Sequence, residues 1–314
     1  MTQSSSISMD KLTKDYRRGF WMTRHRALHE LSLTVEQGES FGFVGPNGAG
    51  KTTTIKILAG LHEATSGTAT ILGKPVQDPM SRKELGFLPE RPYFYVHLTA
   101  REVLNFYGQL FELEPTVRKN RIDALLERVQ LTHVADSPLK EYSKGMLQRV
   151  GLCQSLIHDP KLIILDEPMS GLDPLGRALV RDIIVDEQSK GKTIFFSSHV
   201  LSDVQSICSR VAILVGGRLR GVGTVNELIG EQIDWIDVHV DIEPDEAENL
   251  KAFGVCRHSE GRRYHFRIEP EHSDSFQAAI HQSNGRLIEL NPKRKTLESV
   301  LVNEMKAEQS DGLS

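Results

Sequence analysis

The sequence predicts an α/β protein in two parts: a doubly wound parallel sheet that carries an inserted helical subdomain and follows antiparallel strands, then a small α+β unit. Three observations carry that prediction. An apolar run ending at Val44 breaks into Gly45-Pro46-Asn47-Gly48-Ala49-Gly50-Lys51-Thr52-Thr53 and resumes as an apolar-periodic helix to Gly60. A continuous apolar strand, Lys161 to Asp166, follows a mostly helical stretch, and helices and strands then alternate to Val215. Past Gly216-Gly217 the order becomes strand, helix, strand, strand, helix, strand, which is the βαββαβ order of a ferredoxin-like fold.

Residues 1 to 6 are polar, and Ile7–Tyr16 and Ala27–Val35 read as strands. Between them lies RRGFWMTRHR, four arginines interleaved with Phe20 and Trp21. It reads either as a solvated loop whose aromatics fold back on the sheet or as a contact with a membrane surface or partner. Gly67–Leu72 and Leu85–Leu88 are further strands. From Thr99 the period changes to helical: Thr99 and Glu102 form a capping box, and Val103, Leu104, Phe106, Tyr107 and Leu110 supply an apolar face. Val117–Val129 repeats the pattern, so about 90–157 forms a helical subdomain. Helix Leu175–Gln188, strand Thr193–Phe196, helix Val200–Ile207 and strand Val211–Val215 complete the alternation. The ferredoxin-like unit is supported by a repeat: Ile242-Glu243-Pro244 and Ile268-Glu269-Pro270 each end a strand and open a helix. A last helix, Thr296–Met305, precedes a polar tail. The expected domains are therefore 1–230 and 231–306, with 307–314 disordered.

Composition narrows the function. With 39% hydrophobic and 25% charged residues and a formal net charge of −4, the chain has no overall basic field, so nucleic-acid binding is not expected. No apolar run reaches the roughly 18 residues of a membrane span, and the N-terminus lacks a signal-peptide core, which predicts a cytoplasmic chain. The three cysteines, Cys153, Cys208 and Cys256, show neither a disulfide nor a zinc spacing and read as ordinary buried thiols.

The glycine-rich stretch dictates its ligand class. Its glycines let the backbone turn its N–H groups onto an anion while the helix opening at Lys51 aims its positive end the same way. Lys51 then reaches β- and γ-phosphates and the Thr52 hydroxyl holds Mg²⁺, the complete Walker A pattern Gly45-x4-Gly50-Lys51-Thr52. Downstream, Asp166 ends the buried strand and Glu167 follows. The first orders Mg²⁺ through water and the second faces the γ-phosphate and polarises an attacking water. Asp173 and His199 lie on loops opening on the same sheet edge.

Upstream sits Tyr142-Ser143-Lys144-Gly145-Met146-Leu147-Gln148-Arg149, a helix start with Ser143 as N-cap. With this segment the set resembles the ATP-binding subunit of an ABC transporter over about residues 7–225: Walker A, a signature serine-glycine helix, Walker B with its glutamate, a D-loop and a switch histidine, in that order. The resemblance implies a P-loop ATPase of ABC type that binds ATP and Mg²⁺. Tyr16 stacks on adenine, with Phe20 and Trp21 of the insert as the alternative aromatic contacts, and Gly45, Pro46, Asn47, Gly48, Ala49, Gly50, Lys51, Thr52 and Thr53 hold the phosphates. Glu167 is the general base, His199 contacts the γ-phosphate, and Asp173 links two sites. Ser143 and Gly145 complete the ATP site of a second copy, so ATP binding assembles a dimer and hydrolysis releases it.

Two departures stand out. The chain has Leu88-Pro89-Glu90 where the family usually carries Gln, which makes Glu90 the metal-proximal and coupling residue. The signature puts Lys144 at its first glycine, either adding charge near the partner's phosphates or pointing to solvent. Tyr-Ser-Lys-Gly-Met with Pro-Glu resembles the export branch, whose multi-span membrane permease subunits are separate proteins. The chain is then expected at the inner face of the cell membrane, with its helical insert receiving the permease. The alternative, a soluble ABC ATPase acting in translation or on DNA, calls for tandem nucleotide domains or a long coiled coil, and neither is present. The other eleven histidines show no ligand spacing and read as surface or core.

Overall fold

The hairpin that opens the chain does not stop where its apolar residues do. In the computed structural model, which describes residues 5–18, 23–230, 233–294 and 296–311, β1 (Ser5–Arg18) pairs antiparallel with β2 (Thr23–Glu36). Tyr16 lies opposite His25 and Arg17 opposite Arg24. This corrects the loop reading of 17–26 at its two ends; Phe20 and Trp21 lie outside the described residues. Asp15 explains the correction, because Arg24 and Arg26 both pair with it, Arg26 Nε at 2.8 Å, so the arginines serve as cross-strand partners.

β3 (Ser40–Val44) leads into α1 (Lys51–Leu58), followed by β4 (Ser66–Ile71), β5 (Lys74–Pro75) and β6 (Leu85–Leu88). The helical subdomain contributes α2 (Ala100–Leu110), α3 (Pro115–Arg128) and α4 (Lys144–Leu156). The Thr99–Glu102 capping box is formed in both directions. Then come β7 (Leu162–Asp166), α5 (Pro174–Ser189), β8 (Thr193–Ser198), α6 (Leu201–Ile207), β9 (Arg210–Val215), β10 (Arg218–Thr224) and α7 (Val225–Ile229).

These strands make two sheets. One is antiparallel, in the order β2-β1-β4-β5; the other runs β10-β9-β3-β8-β7-β6, parallel except for β10. A single apolar cluster joins them, with Ile7, Leu28 and Val35 packed in one group with Phe41, Phe43, Ile55 and Phe195, all fully buried. Each such side chain contributes about 1.5–3 kcal/mol. The strand β3 therefore sits at the centre of the sheet, between β8 and β9, and its C-terminal end is held rigidly.

The helical subdomain meets the sheet layer through charge as well as packing. Arg128 on α3 forks onto Asp186 and Glu187 of α5, at 2.5 and 2.7 Å. Lys190 and Lys192 bind Glu187 as well, at 3.0 and 2.5 Å. Burial on its own would raise the Glu187 pKa, but these three cations together bring it down to about 2.

The chain divides into two units, 1–225 with 304–314, and 226–303. The second contains β11 (Ile233–Asp241), α8 (Pro244–Leu250), β12 (Gly254–Glu260), β13 (Arg263–Ile268), α9 (Ser273–Gln282) and β14 (Arg286–Arg294). Its antiparallel order β12-β13-β11-β14 is that of the ferredoxin-like fold. Val238, Val240, Phe266 and Ile268 pack beneath Leu250, Phe276 and Ile280 of the two helices. The last helix, α10, spans Leu297–Asp311 and so runs past Met305 into the segment expected to be disordered. Arg220 on β10 accounts for this, since it pairs with Glu304 and Glu308 along that helix.

Candidate functional site

β3 delivers the glycine-rich loop to the edge of the parallel sheet. A Cβ at Gly45 would stand 2.2 Å from Leu214 O of β9, so only glycine fits there. Gly50, at φ +104°, turns the chain into the first residue of α1. Lys51 is buried at 6% exposure. Its Nζ donates to Gly45 O at 2.7 Å and Pro46 O at 3.1 Å, and lies 3.6 Å from Glu167 Oε1. Burial lowers the pKa of Lys51, and the Glu167 carboxylate opposes that shift.

The facing wall comes from the ends of β7 and β8. Ser197 organises it: its hydroxyl donates to Asp166 Oδ1 at 2.7 Å and accepts from the Glu167 backbone N–H at 3.1 Å. Glu167 itself sits at φ +50°, a conformation that costs a non-glycine residue energy and turns its side chain out of the strand direction. Its Oε2 lies 2.8 Å from His199 Nδ1. Asp166 is raised by burial, and the Ser197 and Thr52 hydroxyls oppose the rise.

Together these elements enclose a cleft of about 720 Å³. Asn47, Gly48, Ala49, Gly50, Lys51, Thr52 and Thr53 line one side, and Glu90, Glu167 and His199 the other. Tyr16 lines it too, with its hydroxyl 2.9 Å from His62 Nδ1 and Lys14 Nζ 5.2 Å from the ring centroid. His25, Ala27 and Ser170 also line the cleft, and sequence reasoning missed all three. His25 was open to discovery, because it is the hairpin partner of Tyr16 and so shares its face of the sheet.

Six of the expected residues are not in that lining: Gly45 and Pro46 hold Lys51 through their carbonyls and Asp166 is held by Ser197, directly beside the cleft, whereas Ser143, Gly145 and Asp173 lie elsewhere. Ser143 accepts from Met146 N at 3.2 Å as the N-cap of α4, and Asp173 accepts from Gly176 N at 2.9 Å as the N-cap of α5. Neither they nor Gly145 line the cleft. They are close to one another instead: a Cβ at Gly145 would lie 3.1 Å from Leu172 Cδ2, and one at Gly171 would lie 2.7 Å from Lys144 Nζ. Lys144 is exposed and lies along Gly171, so the start of α4 and the loop before α5 share one surface.

The donors suit a hard cation. Thr52, Asp166 and Glu90 offer oxygen, and a cation beside Asp166 would oppose the rise that burial imposes on its carboxyl. Among the described residues, no group of three or more His, Cys, Asp and Glu could hold a metal ion. An ion here would rely on phosphate oxygens too, as Mg²⁺ does.

Comparison with known proteins agrees with this geometry. Residues 28–170 match the family model described as ABC transporter. The chain is 42% identical over 307 residues, 97% of its length and 86% of the relative's, to an uncharacterised ABC transporter ATP-binding protein of Synechocystis sp.. It is 35% identical over 227 residues, 72% of its length and 69% of the relative's, to the Nod factor export ATP-binding protein I of Cupriavidus pinatubonensis. Among solved structures, an ATP-binding subunit of an ABC transporter superposes with a TM-score of 0.65 at 30% identity, over 71% of this chain and 92% of the other. A dimeric ATP-binding cassette in a post-hydrolysis state with ADP and Pi shares the fold at a TM-score of 0.63 and 23% identity, over 69% and 98%. The chain belongs to the ABC transporter family, as an ATP-binding subunit with an ATPase domain.

Proposed function

We propose that this subunit powers export through separate multi-span permease subunits, working as a dimer whose two ATP sites each draw on both chains. The observation that carries the reading is the division of the site. Lys51, Thr52, Glu167 and His199 converge on one cleft, whereas Ser143, Gly145 and Asp173 are displayed together outside it. A helix N-terminus such as that of α4 attracts an anion, and a second copy brings it to the phosphates of the first. In this reading Tyr16 stacks on adenine and the 45–53 loop holds the phosphates. Thr52, Asp166 and Glu90 hold Mg²⁺, which offsets phosphate charge, and Glu167 takes the proton of the attacking water. His199, held by Glu167, contacts the γ-phosphate.

Complementation between defective chains tests the division. Lys51→Ala and Ser143→Arg should each be inactive alone. Mixed equally, they form dimers of which half are mixed and contain one intact site, so turnover should return to about a quarter of wild type. A mixture as inactive as its components would refute shared sites. Tyr16→Ala should weaken ATP by about 1–3 kcal/mol, the range for an aromatic ring stacked on a base, and a fluorescent-nucleotide titration measures it. Unchanged affinity would move the adenine contact to another residue.

For the permease, the helical subdomain offers a groove of about 310 Å³ lined by Tyr93, Tyr95, Leu98, Phe106 and Tyr107. Tyr93 and Tyr95 are 87% and 82% exposed, an apolar display that suits a docking helix. Glu90 joins this segment to the cleft within a few residues, which makes it the proposed coupling residue. Among the described residues no helix is long and apolar enough to cross a membrane, so the spans are assigned to the partner, at whose inner face the chain would sit. Tyr95→Asp with Phe106→Asp should leave the isolated subunit's turnover intact and abolish its stimulation by the permease. Retained stimulation would place docking elsewhere. The export direction is supported by the Tyr-Ser-Lys-Gly-Met signature and by the relative named for Nod factor export.

A further inference from the structure

The ferredoxin-like sheet has a second face, and its charges are sorted by strand. Residues directly opposite in an antiparallel pair share a face. On the face away from Val238 and Phe266, β11 therefore carries Asp237, His239 and Asp241, and β13 carries Arg267, His265 and Arg263 in the same register. None of the six is buried. One column is acidic and its neighbour basic, each with an imidazole at the centre. The columns are already ordered: Asp237 lies 3.2 Å from His265 Nε2 and accepts from Arg267 at 3.4 Å. The Arg267 guanidinium stands 4.1 Å over the Trp235 ring, and the His239 and His265 rings stack at 4.4 Å and 7°.

We propose that this face pairs with the same face of a second copy of the chain. A two-fold axis parallel to the strands, between β11 and β13, lays the acidic column of each copy over the basic column of the other. Such an axis preserves position along the strands. Asp241 then meets Arg263 of the partner subunit, Asp237 meets Arg267 of the partner subunit, and the imidazole stacks meet in the middle. Charge complementarity selects this occupant, because the pattern is its own complement under that rotation. The contact is small and polar, so it is weak and salt-sensitive between free chains. On one transporter the effective concentration is high, and the contact keeps the two subunits together when nucleotide leaves.

Sedimentation of the full chain without nucleotide tests this independently of ATP-driven closure. A concentration-dependent dimer that dissociates with added salt is expected, and Lys51→Ala should leave it unchanged. Asp237→Arg with Asp241→Arg, and separately Arg263→Asp with Arg267→Asp, should each be monomeric. An equimolar mixture of the two should associate more tightly than wild type. Asp241→Arg against Arg263→Asp repeats the test without touching the bonds of Asp237, giving up only the bond from Arg262 to Asp241, and an unchanged circular dichroism spectrum and thermal unfolding profile report that each variant has folded. A wild-type chain that stays monomeric, or swapped chains that do not associate when mixed, would overturn the pairing. Loss of the swapped chains from permease-containing membranes, with no effect on self-association, would assign the face to the membrane subunit and refute it equally.

Discussion

Glu167→Gln is expected to lower ATP turnover by about 10²- to 10⁴-fold, the usual contribution of a positioned general base, without weakening ATP binding. The geometry sets this apart from a change at an ordinary strand-end acid. The Glu167 backbone is fixed by Ser197, its Oε2 lies 2.8 Å from His199, and its Oε1 lies 3.6 Å from Lys51. Glutamine keeps the shape and these neighbours but cannot accept the proton of the attacking water. It also removes a negative charge from a cleft that must hold the triphosphate, so the ATP-bound dimer should accumulate. Single-turnover kinetics and size-exclusion chromatography with ATP read both quantities. Turnover within threefold of wild type would take the base role away from Glu167.

Lys51→Ala is expected to weaken ATP by roughly 100-fold or more. A bond from a charged donor contributes about 1.5–3 kcal/mol, and the remaining N–H of Lys51 is free to make one to a phosphate oxygen while its charge acts on the neighbouring ones. Its position is set by the loop: the ammonium already donates to the carbonyls of Gly45 and Pro46, so little ordering is left for the ligand to impose. Calorimetric titration measures the loss. Affinity within a few-fold of wild type would mean that the backbone N–H groups and helix dipole suffice.

The parts of the site that were legible in the sequence are those governed by local rules. The Gly45–Thr53 spacing, the buried strand before Asp166 and the Thr99 capping box each follow from a few adjacent residues, and the structure places them as read. Contacts across strands were harder to read. β10, RLRGVGT, has too few apolar residues to announce a strand and exists because it pairs antiparallel with β9. The arginine-rich ends of the first hairpin read as loop because what orders them is Asp15, a neighbour in register rather than in sequence. Ser197 was passed over for the same reason, although it positions both acids.

The caps at Ser143 and Asp173 bear on the speed of assembly. Both residues are already bound within their own chain, one to the start of α4 and the other to the start of α5. Groups held that way need no refolding when a second copy arrives. Closure of the proposed dimer should then be limited by encounter of the two surfaces, with little rearrangement after contact, and its rate should scale with subunit concentration at saturating ATP.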